Sequence, residues 1–152
     1  TIILISDMAM ANTCRGLFLQ ENYMNQVFKS EIQAFYDGIS SRNRESLLKF
    51  LDFSASEDFD SNIATHGAVK TVEEYWESQQ HWYDGETGYF TAEVVEAEVD
   101  GDYGKTVAMV EYSNIGDDGK MFLWKIRIEM DFRRKSGQWY LVRNFNYVLD
   151  RG

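Results

Sequence analysis

The sequence predicts an α+β domain, and three observations carry that expectation. Along residues 121–132, Phe122, Trp124, Ile126, Ile128, Met130 and Phe132 take every second position, while Leu123, Lys125, Arg127, Glu129 and Asp131 fill the gaps. That is the period of a strand with one buried face. The turn Lys135-Ser136-Gly137 and a second β-rich run over residues 139–147 make this stretch the first arm of a long antiparallel hairpin. A face of such large side chains needs a cover that a sheet alone does not supply, and helical spacing earlier in the chain supplies it.

The elements follow in order. Residues 1–23 read as an ordered N-terminal arm: Ala9-Met10-Ala11 has the form a signal peptidase accepts, but no basic segment precedes it and Asp7 interrupts the apolar run. The run is also far short of the roughly 20 residues a membrane span needs. Residues 24–150 are expected to form a single domain. Met24, Val27, Phe28, Ile32, Phe35, Tyr36 and Ile39 have the three-and-four spacing of an amphipathic helix that ends near Ser40-Ser41. Asn43 then caps a short second helix carrying Leu47, Leu48, Phe50 and Leu51. An acidic loop follows over residues 52–60, and residues 62–67 read as an edge strand entering a turn. Thr71-Val72-Glu73-Glu74 has the form of a capping box, with Val72, Tyr75, Trp76, Gln79 and Trp82 on one side of the helix it opens. Two further β-rich runs, residues 89–99 and 106–114, are divided by short glycine-bearing turns and lead into the hairpin. The expected sheet is an antiparallel meander.

Composition narrows the function classes. With 44% hydrophobic and 15% aromatic residues, the 152-residue chain suits one domain with a full core. A net charge of -10 repels a phosphate backbone, and basic residues cluster only at Arg133-Arg134-Lys135, so neither nucleic acid nor a membrane is expected as a partner. Cys14 is the one cysteine, which excludes an intrachain disulfide and a cysteine-based zinc cluster and suits a cytoplasmic location. His66 and His81, separated by a helix, give no recognisable metal spacing, so no metal and no cofactor are expected.

Three segments resemble the nuclear-transport-factor-2-like superfamily, also called SnoaL-like. Residues 32–47 look like its first helix and the turn into its second. Thr65-His66-Gly67 with residues 72–76 is similar to its strand, glycine and third helix, and Gly137-Gln138-Trp139-Tyr140-Leu141 matches the opening of its last strand. The resemblance implies a cone-shaped cystatin-like fold, a curved antiparallel sheet wrapped around the N-terminal helix and a pocket, often dimeric through the sheet. Its members include isomerases, dehydratases, epoxide hydrolases and polyketide cyclases, beside non-catalytic transport and kinase-association domains, and fold alone does not choose among them. The Asp-Arg-Asp set of the epoxide hydrolases and the Tyr and Asp pair of the ketosteroid isomerases find no matching positions here, and Asp37 lies opposite the apolar stripe of its helix.

Candidate residues each carry two readings. His66, beside Gly67 where the resembled pocket opens, is either an acid/base or a turn histidine satisfied by backbone; His81, on a polar helix side, is the weaker candidate. Arg143 alternates with Trp139, Leu141, Phe145 and Tyr147, so one cation shares a face with large apolar groups and demands a carboxylate or an anionic ligand. Glu111, alternating with Val107 and Met109, could be that carboxylate, in a structural pair or against a substrate. A bulge in the last strand would reverse its parity and turn Asn144 and Asn146 inward instead. Tyr36, Tyr75, Trp76, Trp124 and Tyr147 either line a pocket or are plain core. The expected function is binding of a small apolar or aromatic molecule, with lyase, isomerase or hydrolase chemistry by His66, Glu111 and Arg143. The alternative is a non-enzymatic homodimeric association or ligand-carrier module.

Overall fold

The computed structural model describes residues 2–52 and 58–152. In chain order these form α1 (Ile2–Ser40), α2 (Arg44–Leu51), β1 (Asp60–Ile63), β2 (Gly67–Val69), α3 (Val72–Asp84), β3 (Tyr89–Asp100), β4 (Tyr103–Ile115), β5 (Met121–Lys135) and β6 (Gln138–Asp150). The strands make one curved, unclosed sheet in the order β2-β1-β6-β5-β4-β3. The expected antiparallel meander is β3 to β6, and β1 extends it by pairing in parallel with β6, so the sheet is mixed. Among the described residues, no helix is long and apolar enough to cross a membrane.

Two expectations change. Residues 62–67 are not one edge strand: the chain turns after Ile63, where its carbonyl accepts the His66 N–H at 3.0 Å, and reverses through Gly67 at φ +75 into β2. β1 is therefore interior, and β2 takes the edge. The first helix begins at Ile2 rather than Met24, so the stretch read as an arm is helical. The apolar spacing marks only the part of α1 that covers the sheet. Phe28, Ile32, Phe35, Tyr36 and Ile39 are buried, whereas Leu17, Leu19 and Tyr23 are 58–70% exposed. The acidic loop expected at residues 52–60 lies for the most part outside the described residues.

α1 also guards the open edge of the sheet. An edge strand offers unpaired backbone groups, and side chains can occupy them. On β3, Gln33 accepts the Val94 N–H and donates to the Ala92 carbonyl, both at 2.9 Å, beside a bulge between Val94 and Glu96; Asn25 accepts the Val99 N–H at 2.9 Å. Gly104 lets α1 come close, because a Cβ there would stand 2.5 Å from the Phe28 ring. That ring in turn packs edge-on against Phe132 at 5.7 Å and against Trp139 at 4.6 Å. α3 opens as its sequence implies, with Thr71 Oγ1 accepting the Glu74 N–H at 3.1 Å; the Glu74 carboxylate reaches back one residue further than a standard box, to the Lys70 N–H.

The β5 alternation is realised. Ile126, Ile128, Met130 and Phe132 are buried beneath the helices, and Phe122 and Trp124 are half-buried at the strand's beginning. Ile128→Ala should destabilise the fold by about 2–5 kcal/mol through transfer and cavity terms. Leu123→Ala, on the outer face of the same strand, should cost within about 0.5 kcal/mol. Urea denaturation of both variants checks the contrast, and equal costs would contradict this inside-outside assignment.

Candidate functional site

Between the inner sheet face, α1 and α3 lies a cavity of about 70 Å³. One water occupies about 30 Å³ of liquid and a drug-sized ligand needs about 300–1,000 Å³, so aromatic side chains fill most of the cone and the space left admits the head of a molecule. Its walls are apolar, formed by Ile39, Ile63, Phe90, Ile126, Ile128 and Met130. Its polar groups come from α1, α3, β4, β6 and the turn after β1.

The last strand decides which groups these are. Asp131 pairs with Arg143 and Phe132 with Leu141, so Val142 is an extra residue and the strand's parity reverses there. Leu141 and Asn144 therefore both face inward and are buried, while the Arg143 side chain is 58% exposed on the outer face, 3.8 Å from Asp131. Glu111 is exposed on the same outer face, in register with Thr91 and Lys125. The expectation that Arg143 and Glu111 share the apolar inner face is thus corrected: the bulge takes one out, and β4 turns the other outward with Met109. Tyr147 is likewise outside, 48% exposed. Of the remaining expected pocket aromatics, Tyr36 and Tyr75 line the cavity, whereas Trp76 packs at a tilt on Tyr83 and Trp124 on Phe122 away from it.

At the cavity floor, the Tyr36 hydroxyl donates to Met130 Sδ at 3.3 Å, and the Tyr75 hydroxyl accepts from Asn144 Nδ2 at 3.2 Å. Burial raises the pKa of both tyrosines above the ordinary phenol value, and neighbouring tyrosines add to it; for Tyr75 the Asn144 hydrogen bond opposes the shift. Both therefore stay protonated at neutral pH. The side-chain oxygens of Asn144 and Asn146 are buried and find no hydrogen-bond partner among the described residues. Ser61 fastens this part of β6 by donating to the Asn144 carbonyl at 2.9 Å.

At the mouth stand Thr65, Gln79, His81 and Tyr112. Asn114 Nδ2 donates to the Tyr112 hydroxyl at 3.1 Å, and that hydroxyl stands 3.4 Å from His81 Nε2, leaving its own proton free to point at the imidazole. Burial lowers the His81 pKa, the His66 ring with its centroid 5.4 Å away lowers it further, and a hydrogen bond to the Ser78 backbone opposes them. His66 itself sits in the turn, Nδ1 2.8 Å from Thr65 Oγ1, and packs on His81 rather than lining the cavity. Sequence reasoning ranked the two histidines the other way. The available signal was helical spacing: His81 follows buried Ser78 by three residues and flanks Trp82, at the border of the apolar stripe.

The C-terminal end of α1 holds α3 over the mouth. Trp82 Nε1 donates to the Ile39 carbonyl at 2.7 Å. Arg42, in the left-handed region at φ 57, donates to the carbonyls of Trp82 at 3.1 Å and Thr87 at 2.7 Å, with its guanidinium 3.8 Å over the Trp82 ring. A cation thereby meets the free carbonyls at the end of α3, the favourable place for it. Among the described residues, no three His, Cys, Asp or Glu side chains are grouped to hold a metal ion.

Neither a protein-family model nor a curated protein sequence matches this chain. Solved structures do. The chain is similar to the association domain of C. elegans CaMKII, at 13% identity over 84% of this chain and 97% of that one, with a TM-score of 0.59. It is similar to a ketosteroid isomerase-like protein from Erwinia carotovora atroseptica, at 12% identity over 83% and 96%, with a TM-score of 0.64. A type 2 hexachlorocyclohexane dehydrochlorinase is similar at 13% identity over 95% and 91%, with a TM-score of 0.57.

His81 should titrate below the ordinary imidazole value of about 6.5 in side-chain NMR, and His66→Gln should raise its midpoint. The unfolded chain then binds this proton at higher pH than the folded one, so stability should fall as pH is lowered through the window beneath about 6.5. His81→Gln should flatten that part of the stability profile. A midpoint at or above the ordinary value would contradict the geometry described.

Proposed function

From its nuclear-transport-factor-2-like fold and the geometry of its inner cavity, we propose that this protein binds a small, mostly apolar molecule there and that His81 moves a proton on it. The observation that carries the reading is the meeting of an imidazole held neutral with an oriented hydroxyl, Tyr112, at the mouth of an apolar cavity. Because Tyr112 already points its proton at Nε2, the substrate proton passes to the Tyr112 oxygen as Tyr112 hands its own to the imidazole, a relay suited to a base whose pKa lies beneath the ordinary imidazole value. Buried Tyr36 and Tyr75 supply neutral hydroxyls on the opposite side, where charge would develop on the substrate. The reaction class this favours is elimination or isomerisation. A dehydrochlorinase and a ketosteroid isomerase-like protein among the structural neighbours support it by analogy of fold.

A thermal-shift screen of small aromatic, terpenoid and polyketide-like compounds tests the reading. A ligand at a hundred times its dissociation constant stabilises by about 2.7 kcal/mol, which raises the melting temperature of a domain this size by roughly 5–10 °C. Tyr36→Phe and Tyr75→Phe should shrink the shift, and His81→Gln should preserve binding while lowering turnover of any hit that reacts by about 100-fold or more. A screen without hits would sink the cavity reading.

A second reading, homodimeric association, is favoured by the outer sheet face. Among the described residues nothing covers it, and Met109, Leu123 and Tyr147 are 37–48% exposed there between the ion pairs Arg127–Glu129 and Arg143–Asp131. The association domain among the neighbours supports it as well. Light scattering at micromolar concentration should then return twice the 17.7 kDa chain mass, and Tyr147→Arg should return the monomer mass. A monomer in the unmutated protein would exclude this reading.

A further inference from the structure

Resting on the inner-cavity reading, we infer that the ligand enters head first with a neutral hydroxyl or carboxamide, recognised by Tyr75, Asn144 and Asn146. The chemistry of the lining carries this. Among the described residues no Asp, Glu, Lys or Arg side chain lines the cavity, so an ionised head would lose its hydration without meeting an opposite charge. A purely apolar head fails for the converse reason, because it would leave the two orphaned amide oxygens buried and unpaired.

The polar groups also specify a direction for each hydrogen bond. Asn144 gives its N–H to the Tyr75 oxygen, so the Tyr75 proton is uncommitted among the described residues and is available to a ligand acceptor. The side-chain oxygens of Asn144 and Asn146 each await a donor. The complementary head accepts once and donates at least once, which an alcohol does with one oxygen and a primary carboxamide does with its carbonyl and amino groups. Two residues apart beyond the bulge, Asn144 and Asn146 share the inner face of β6. The small volume limits what is buried to this head, and the body of the molecule lies outward past Thr65 and His81.

The test compares four probes of one shape: benzamide, benzyl alcohol, toluene and benzoate. Binding is followed by two-dimensional NMR, with the side-chain amide signals of Asn144 and Asn146 as local reporters. Benzamide and benzyl alcohol should shift both amide signals and bind at least about tenfold more tightly than toluene or benzoate. Asn144→Leu and Tyr75→Phe should each reduce benzamide affinity about tenfold, the size of one lost hydrogen bond, and leave toluene unchanged. Should Asn144→Leu fail to fold, Asn146→Leu, at a half-buried position, serves in its place. Toluene or benzoate binding as tightly as benzamide would overturn the head-group assignment while leaving the cavity reading intact. If none of the four binds, both fall together.

Discussion

A single extra residue in the last strand governs what this molecule can do with its interior. Without Val142 as a bulge, alternation from Leu141 would carry Arg143 under the helices, where a guanidinium without a counter-charge costs more than the surrounding apolar contacts return. With the bulge, Arg143 reaches solvent beside Asp131, and a neutral amide, Asn144, takes the inward place. The inner face of the sheet thereby keeps its polarity without keeping a charge. The Tyr75 hydrogen bond follows from that exchange, as does a β6 wall of the cavity that carries amides rather than a cation.

The opposite rim is held by a different device. α3 presents His81 only because its C-terminal end is tied to the end of α1, through Trp82 to the Ile39 carbonyl and through Arg42 to the Trp82 carbonyl and ring. Neutral and charged hydrogen bonds converge there on backbone that no helix could satisfy alone. Between that rim and the floor, Tyr36, Trp82, Phe90 and Tyr112 line the cavity, with Phe90 stacked on Tyr36 and Trp82 packed against Phe90 and Tyr112. What remains is small and directional.

How much of this was legible in the sequence depends on which contacts are local. The β5 alternation could be read directly because the two faces of that strand meet different surroundings from Ile126 to Phe132. Helical spacing likewise finds the half of α1 that covers the sheet, but it is silent at Leu17, Leu19 and Tyr23, which face solvent. The bulge leaves no local mark, since Trp139, Tyr140 and Leu141 before it pair in unbroken register with Arg134, Arg133 and Phe132. Its position could be weighed only as an alternative, because a parity change depends on the register with β5. Arg143 escapes a sequence reading for that reason, and Glu111 because Val107 and Met109, though apolar, share the outer face of an unbroken β4. His66 draws attention through its sequence neighbour Gly67, whereas His81 stands out only beside Tyr112, 31 residues away.

The parallel pairing of β1 with β6 has a temporal consequence. Ser61 and Asn144 are 83 residues apart, while the meander from β3 to β6 closes through hairpins between neighbouring strands. Contacts of such long sequence separation are entropically slow to make, so the meander is free to assemble on local pairings before β1 arrives beside it. Yet Ile63, Ala64 and Thr65, which complete the cavity, come with β1. The cavity is thus the last region to acquire a wall, and a chain whose meander has formed but whose β1 has not docked is folded in most respects and still open on that side.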